Sequence, residues 1–192
     1  GSLADSGVGS LRQAILDANS NPGADLIRFT PAARDGTINL TGGPLIILDD
    51  LAVKGPGAGR LAVSGSDAGR VFQVGVGVTA SLADLTVTHG RAFGQGGGIL
   101  NAGTLTLSHV TLSDNLVVGL PGTTLAAVVD AFGGGVFNTG ALTVRNSRFV
   151  HNRSVGADGT PDSIGSSALG GAIMSAGTPG APATVDVSQS TF

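Results

Sequence analysis

Three side chains of this 192-residue chain are of the right types to share a divalent metal: His89, Asp114 and His151. They fall at one position when residues 82–88, 107–113 and 144–150 are laid over one another, each one residue past the end of its segment. Imidazole and carboxylate suit zinc or nickel. Stacked strands lie about 4.8 Å apart, which sets the two histidines about 10 Å from each other. That is too spread to close on one ion at about 2.1 Å per bond unless the side chains bend in. The spacing favours an exposed polar column at a corner, with Asp114 pairing with a histidine when it is protonated.

The same overlay, extended back to residues 48–54, gives a second polar column: Asp50, Asp84, His109, Asn146 and Gln189. Side chains of this kind cap backbone groups at bends. Asp50 and Asp84 are its adjacent carboxylates, and two carboxylates are what a glycosidase uses. Arg145 and Arg148, with Arg153 and Arg91, are the cations that a β-helix lyase would place beside such carboxylates. However, Arg145 and Arg148 straddle a bend, and the chain has no Trp or Tyr to serve as a sugar-stacking platform. Asp158 and Asp162 bracket Gly-Thr-Pro and could offer oxygens to Ca²⁺, although the spacing is not that of an EF-hand. A solvated loop is the favoured reading there, and no cofactor is expected. Residues 94–98 are not a phosphate loop, since no Lys and no helix follow them.

These residues are organised by a repeat. Gly96-Gly97-Gly98-Ile-Leu-Asn101 returns as Gly133-Gly134-Gly135-Val-Phe-Asn138 and again from Gly170, at a spacing of 37 residues. Each is followed by two short alternating runs split by a polar bend, so each unit holds three short strands. Such strands bury one face, and three per turn along an axis make a single-stranded right-handed parallel β-helix. Leu82, Leu107, Val144 and Val187 form one expected inward column, and Val87, Leu112 and either Phe149 or Val150 another. Asn101 and Asn138 form an expected turn column whose amides bond along the axis. The glycines suit a corner with no room for a Cβ. The extra length at residues 116–132 and 153–169 is expected to leave the coils as loop insertions, the first apolar with a short helix at 124–130, the second polar. The apolar loop is expected to pack back on its own coil.

Residues 10–19 read as the one helix. Ser10 and Gln13 have capping-box spacing, and Leu11, Ala14, Ile15 and Ala18 make one apolar face. The expected organisation is an N-terminal cap over 1–30 and coils over 31–192, in a piece of a longer protein, since a solenoid needs caps at its ends. Composition agrees with strands and turns: 33 Gly, a single Lys (Lys54), and 13 acidic residues that are all Asp. A formal charge of −3 with 10 basic residues argues against nucleic acid. Without Cys there is no thiolate chemistry. No apolar run is long enough to insert in a membrane as a helix.

Residues 5–19 (DSGVGSLRQAILDAN) and 23–29 (GADLIRF) resemble the CSLREA-type N-terminal segment of large bacterial surface proteins. The Gly-Gly-Gly-Ile-x-Asn and Leu-Thr-Leu-Ser-x-x-Thr-Leu-Ser-x-Asn units are similar to their parallel β-helix repeats, of the polymorphic outer-membrane-protein type. Gly9 or Ser10 stands where that segment often has cysteine. The resemblance implies an exported or cell-surface bacterial protein and brings no catalytic motif. The expected function is a non-enzymatic structural or adhesive solenoid segment. The alternatives are a carbohydrate-active lyase or hydrolase, and a self-assembling module. Expected partners are surface glycans or another protein at the loop insertions, or a second copy at the open C-terminal coil or the 116–132 loop.

Overall fold

The computed structural model describes residues 1–122, 127–178 and 180–192 and is a parallel β-helix closed at one end by a helix. Its first wall is a six-stranded parallel sheet: Asp25–Arg28, Leu51–Lys54, Thr79–Ala83, Thr104–Ser108, Ala141–Arg145 and Thr184–Ser188. The second wall stacks Gly36–Asn39, Leu61–Ser64, Thr86–Thr88, Thr111–Ser113 and Arg148–Val150. The third stacks Leu45–Ile47, Phe72–Val74, Ile99–Asn101, Val136–Asn138 and Ile173–Ser175. Alternation drives this arrangement. In Thr104–Ser108 the two leucines are buried while the Thr and Ser side chains point outward, and the interior is filled by the inward set of every wall. Val53, Leu82, Leu107 and Val144 pair in register on the first wall and are buried, with Val187 continuing the column. Val63, Val87, Leu112 and Phe149 do the same on the second, so Phe149 rather than Val150 faces inward.

Two expectations need correction. Residues 48–54 do not align with 82–88. Leu51 pairs with Ala80 and Val53 with Leu82, while it is Ala62 and Val63 that pair with Thr86 and Val87. The tripeptide Leu-Ala-Val occurs at both 51–53 and 61–63, and residues 55–60 form a wide second-coil corner where later coils make a tight bend. Nor do the insertions begin where the coils' glycines and asparagines place them. Leu116–Val118 and Arg153–Val155 join Arg91–Phe93 in a short fourth sheet, and Ala131–Phe132 pairs with Ala168–Leu169. Val117 and Ala131 are fully buried. Among the described residues, what remains outside the coils is roughly 119–122, 127–130 and 156–167, and these segments bond to each other: Gly122 pairs with Ile164, and Ser167 N–H donates to the Asp130 carboxylate at 2.7 Å. The described contacts of the apolar segment thus run to the second insertion rather than only to its own coil, where it is expected to pack. The helix expected at 124–130 falls partly outside the described residues; of its described part, Val129 pairs with Leu120 in an antiparallel bridge.

The helix runs Leu11–Asn19, and Ser10 Oγ accepts from Gln13 N–H at 3.1 Å. The reciprocal half of the capping box is absent, because the Gln13 amide turns to Asp17 instead. Leu11, Ile15 and Ala18 are buried against the first coil and belong to the common core. The segment before the helix is clipped down by Asp5. One carboxylate oxygen takes the Arg12 guanidinium, and the other accepts from Thr41 N–H, Thr41 Oγ1 and Gly42 N–H at 2.8–3.0 Å. Arg12 spends its other donors on the Gly43 and Pro44 carbonyls. Burial alone would raise the Asp5 pKa, but these donors outweigh it and hold it below the usual carboxylate value.

Candidate functional site

Chemistry on a solenoid has to come from columns, corners and loops, so each candidate is located there. Asp84, His109, Asn146 and Gln189 do form one corner column, between the first and second walls, and every one has a positive φ of 49–56°. His89, Asp114 and His151 form the next corner, with φ of 47–56°. A left-handed residue turns the chain sharply between walls, and Asn, Asp and His are among the side chains that tolerate it. These polar residues are there because the corners demand that backbone.

The His89–Asp114–His151 column does not close as a trio. His151 Nδ1 lies 3.3 Å from Asp114 Oδ1, and both side chains are exposed. His89 turns away, its Nδ1 sharing a hydrogen with Thr88 Oγ1 at 2.9 Å. Among the described residues no three His or acidic side chains stand close enough to hold one ion. Asp158 and Asp162 are exposed in the second insertion, Asp158 before and Asp162 within a turn closed between Thr160 and Ser163.

Asp50 leaves the corner column altogether. It precedes the first-wall strand at 51, and its Oδ1 accepts from Thr79 N–H of the next coil at 2.7 Å, whereas Asp84 follows that wall at its far end. The carboxylate pair expected of them is therefore not formed, because the register that joined them was the wrong one. Arg145 reaches Asp186 at 4.0 Å across exposed surface, and Arg148 sits beyond the bend on the second wall. Arg91 and Arg153 flank Leu116 on the fourth sheet. The arginines are not gathered round Asp50 or Asp84.

The glycine and asparagine positions carry the coil geometry. Gly96, Gly133 and Gly170 have φ of 56–68°, and a Cβ on Gly133 would run into the Val136 carbonyl. Gly98 leaves no room either, with the Gly135 carbonyl and the Asn115 amide in the way. Asn101 and Asn138 are fully buried, and Asn101 Nδ2 donates to Asn138 Oδ1 at 2.7 Å, 37 residues on. Asn138 Nδ2 continues to Gly140 O, Ser175 Oγ and Thr184 O at 3.0–3.1 Å. The column begins where the core permits it: the residues before Asn101 on this line are Ile47 and Val74.

Sequence reasoning missed three features. A second ladder runs from buried Asn115 to half-buried Asn152 at 2.8 Å, with Asn115 also holding Gly90 N–H and Val87 O. Its signal was present in Ser-Asp-Asn115 and Val-His-Asn152, which close aligned units. Arg70 donates to the Gln95 and Gly96 carbonyls at 2.7 and 2.8 Å, fastening the glycine corner, and burial pushes its pKa down. Lastly, Arg28, Arg34, Lys54 and Arg60 line one cavity of about 290 Å³ with Phe29. The misplaced register hid it, by setting Lys54 against Thr88 rather than beside Arg28.

Compared with known proteins, the chain matches no family model, no curated protein and no solved structure.

Proposed function

We propose that this chain is a non-enzymatic structural or adhesive β-solenoid segment of an exported bacterial surface protein. The observation that carries the reading is the continuity of its shaft. One six-stranded wall runs from Asp25 to Ser188, and two asparagine ladders tie successive coils at the corners. Each coil is fixed to the next by backbone pairs, packed apolar columns and amide bonds, so the unit resists bending and local opening. The polar corner residues serve these turns. The N-terminal resemblance adds the exported, cell-surface setting.

The test is release of new reducing ends or unsaturated products from a panel of acidic and neutral polysaccharides, with and without Ca²⁺. The expected result is no turnover above blank. Turnover abolished by Asp84→Asn or Arg145→Ala would overturn the reading in favour of a carbohydrate-active enzyme.

A further inference from the structure

The cavity beside the cap holds more positive charge than the fold has any use for. The whole chain has 10 Lys and Arg and a formal charge of −3, yet Arg28, Arg34, Lys54 and Arg60 converge on one space of about 290 Å³. Arg28 and Lys54 are direct register partners on neighbouring first-wall strands, one strand spacing apart on the outward face. Like charges placed directly opposite destabilise a sheet. The fold offsets only part of this. Arg60 is bidentate with Asp35, at 2.7 and 2.8 Å, and that contact together with Arg34 nearby lowers the Asp35 pKa. Among the described residues Arg28, Arg34 and Lys54 make no ion pair. Three of these four exposed cations thus have no internal counter-charge among the described residues, so a ligand can supply one.

The lining says what would fill it. Guanidinium groups match planar and tetrahedral oxyanions through paired N–H donors, and an ammonium adds a point charge. Phe29 is partly exposed in the same wall and is packed from behind against the core. It gives the cavity one rigid apolar face, which a bare inorganic ion leaves unused and the C–H face of a sugar ring covers. The space is at the lower end of the size of small-molecule sites, enough for a short saccharide rather than a folded partner. The negative net charge of the rest of the chain disfavours a long nucleic acid.

We infer that this cavity binds an oxyanion-bearing sugar, a sulfated or uronic-acid unit of an acidic glycan, between the cations of Arg28, Arg34 and Lys54 and the ring of Phe29. The inference deepens the adhesive reading and rests on it for the choice of a saccharide. It also moves the glycan contact from the loop insertions to the capped end. A positive turnover assay would overturn the stalk without touching this cavity, and failure here would leave the stalk standing.

The experiment is an NMR titration of the whole chain at low ionic strength with four probes: a sulfated disaccharide, a uronic-acid disaccharide, a neutral disaccharide and sodium sulfate. Either acidic disaccharide is expected to bind, with shifts centred on residues 28–36 and 54–60. Its affinity falls with added NaCl as exposed charges are screened. The neutral sugar fails, and inorganic sulfate binds at least about tenfold more weakly, since it makes no use of Phe29. Phe29→Leu narrows that preference. The double variant Arg28→Ala/Lys54→Ala loses about tenfold or more in affinity, the usual effect of removing charge-assisted hydrogen bonds. Its melting temperature is unchanged or higher, because the like-charge pair is gone. Arg91→Ala/Arg153→Ala removes the same charge from another face and leaves binding unchanged. Any of four results overturns the inference: no acidic sugar binds; sulfate binds as tightly as the sugars; the 28/54 variant keeps its affinity; or that variant melts lower, which would make the cations structural.

Discussion

Replacing Asn138 with alanine removes four side-chain hydrogen bonds from a site with no access to water. Its Oδ1 accepts from Asn101 at 2.7 Å, and its Nδ2 donates to Gly140 O, Ser175 Oγ and Thr184 O at 3.0–3.1 Å. Each such bond contributes about 1 kcal/mol net, and partners left buried and unpaired cost more. Part of the loss is recovered, because Asn101 Nδ2 keeps Gly103 O and Ala141 O. The expected destabilisation is about 3–4 kcal/mol, a large share of the roughly 5–15 kcal/mol that holds an ordinary domain. Asn138→Leu conserves volume yet cannot donate or accept, so it should lie within about 1 kcal/mol of Asn138→Ala; a cavity-dominated effect would instead be rescued by the larger side chain. Urea unfolding followed by far-ultraviolet circular dichroism is the assay, since the chain has neither Trp nor Tyr to report by fluorescence. The m-value is read as well, because a solenoid can lose its last coils without the rest. A midpoint shift worth less than about 1 kcal/mol at unchanged m would refute the claim that the ladder locks successive coils.

The other expectations concern the cap and the corners. Asp5 is held below the usual carboxylate pKa, so the stability it contributes is present above its unfolded value near 4 and is lost as pH falls through its lower folded value; acid titration should free the cap first, seen as faster amide exchange in residues 1–19, and Asp5→Asn should abolish that step while costing about 2 kcal/mol at neutral pH. Gly133→Ala, at φ 68° and against the Val136 carbonyl, should cost about 2–3 kcal/mol in thermal or urea unfolding, and a neutral result would mean the corner relaxes freely. His109→Gly relieves a left-handed histidine at φ 54° and should be neutral to stabilising by about 0.5–1 kcal/mol in the same assay. Arg145→Ala should move stability by less than about 0.5 kcal/mol, since its contact with Asp186 is 4.0 Å long and exposed.

The repeat made most of the shaft legible. Leu107, Val144 and Val187 can be aligned by eye because nothing interrupts residues 107–113 or 144–150, and an uninterrupted alternating run has one register. The ambiguity entered at the second coil, where Leu-Ala-Val occurs twice and the local pattern favoured the wrong copy. Resolving it needs the partner strand, since Val53 is fixed by Leu82 opposite it and not by its own neighbours. Asp50 was misplaced for the same reason, and with it the carboxylate pair. The short fourth sheet was missed because Leu116–Val118, Arg153–Val155 and Arg91–Phe93 share no common apolar pattern, only an Arg at 91 and 153 and a Val at 118 and 155; backbone pairing is what relates them. The corner histidines and aspartates were legible as bend residues. Their left-handed backbone, which explains why these residue types stand there, is a property of the fold.

A side chain's use in the fold can be separated from its use beyond it by asking what becomes of the energy if it is removed. Asn101, Asn115 and Asn138 are buried with their donors and acceptors occupied, Arg70 is fastened to two carbonyls, and Asp5 takes four donors; deleting any of them leaves neighbours unpaired. Asp84, His109 and His89 are exchangeable for glycine on the same test, because the backbone at these corners asks only for tolerance of positive φ. Arg28 and Lys54 give the opposite sign. Their removal relieves a like-charge pair and orphans nothing among the described residues, so the fold is expected to gain by losing them. Residues that stabilise nothing and lie together in a concave space beside an aromatic ring are where binding by this molecule is best sought. The corner columns, for all their histidines and carboxylates, are already accounted for by the turns they make.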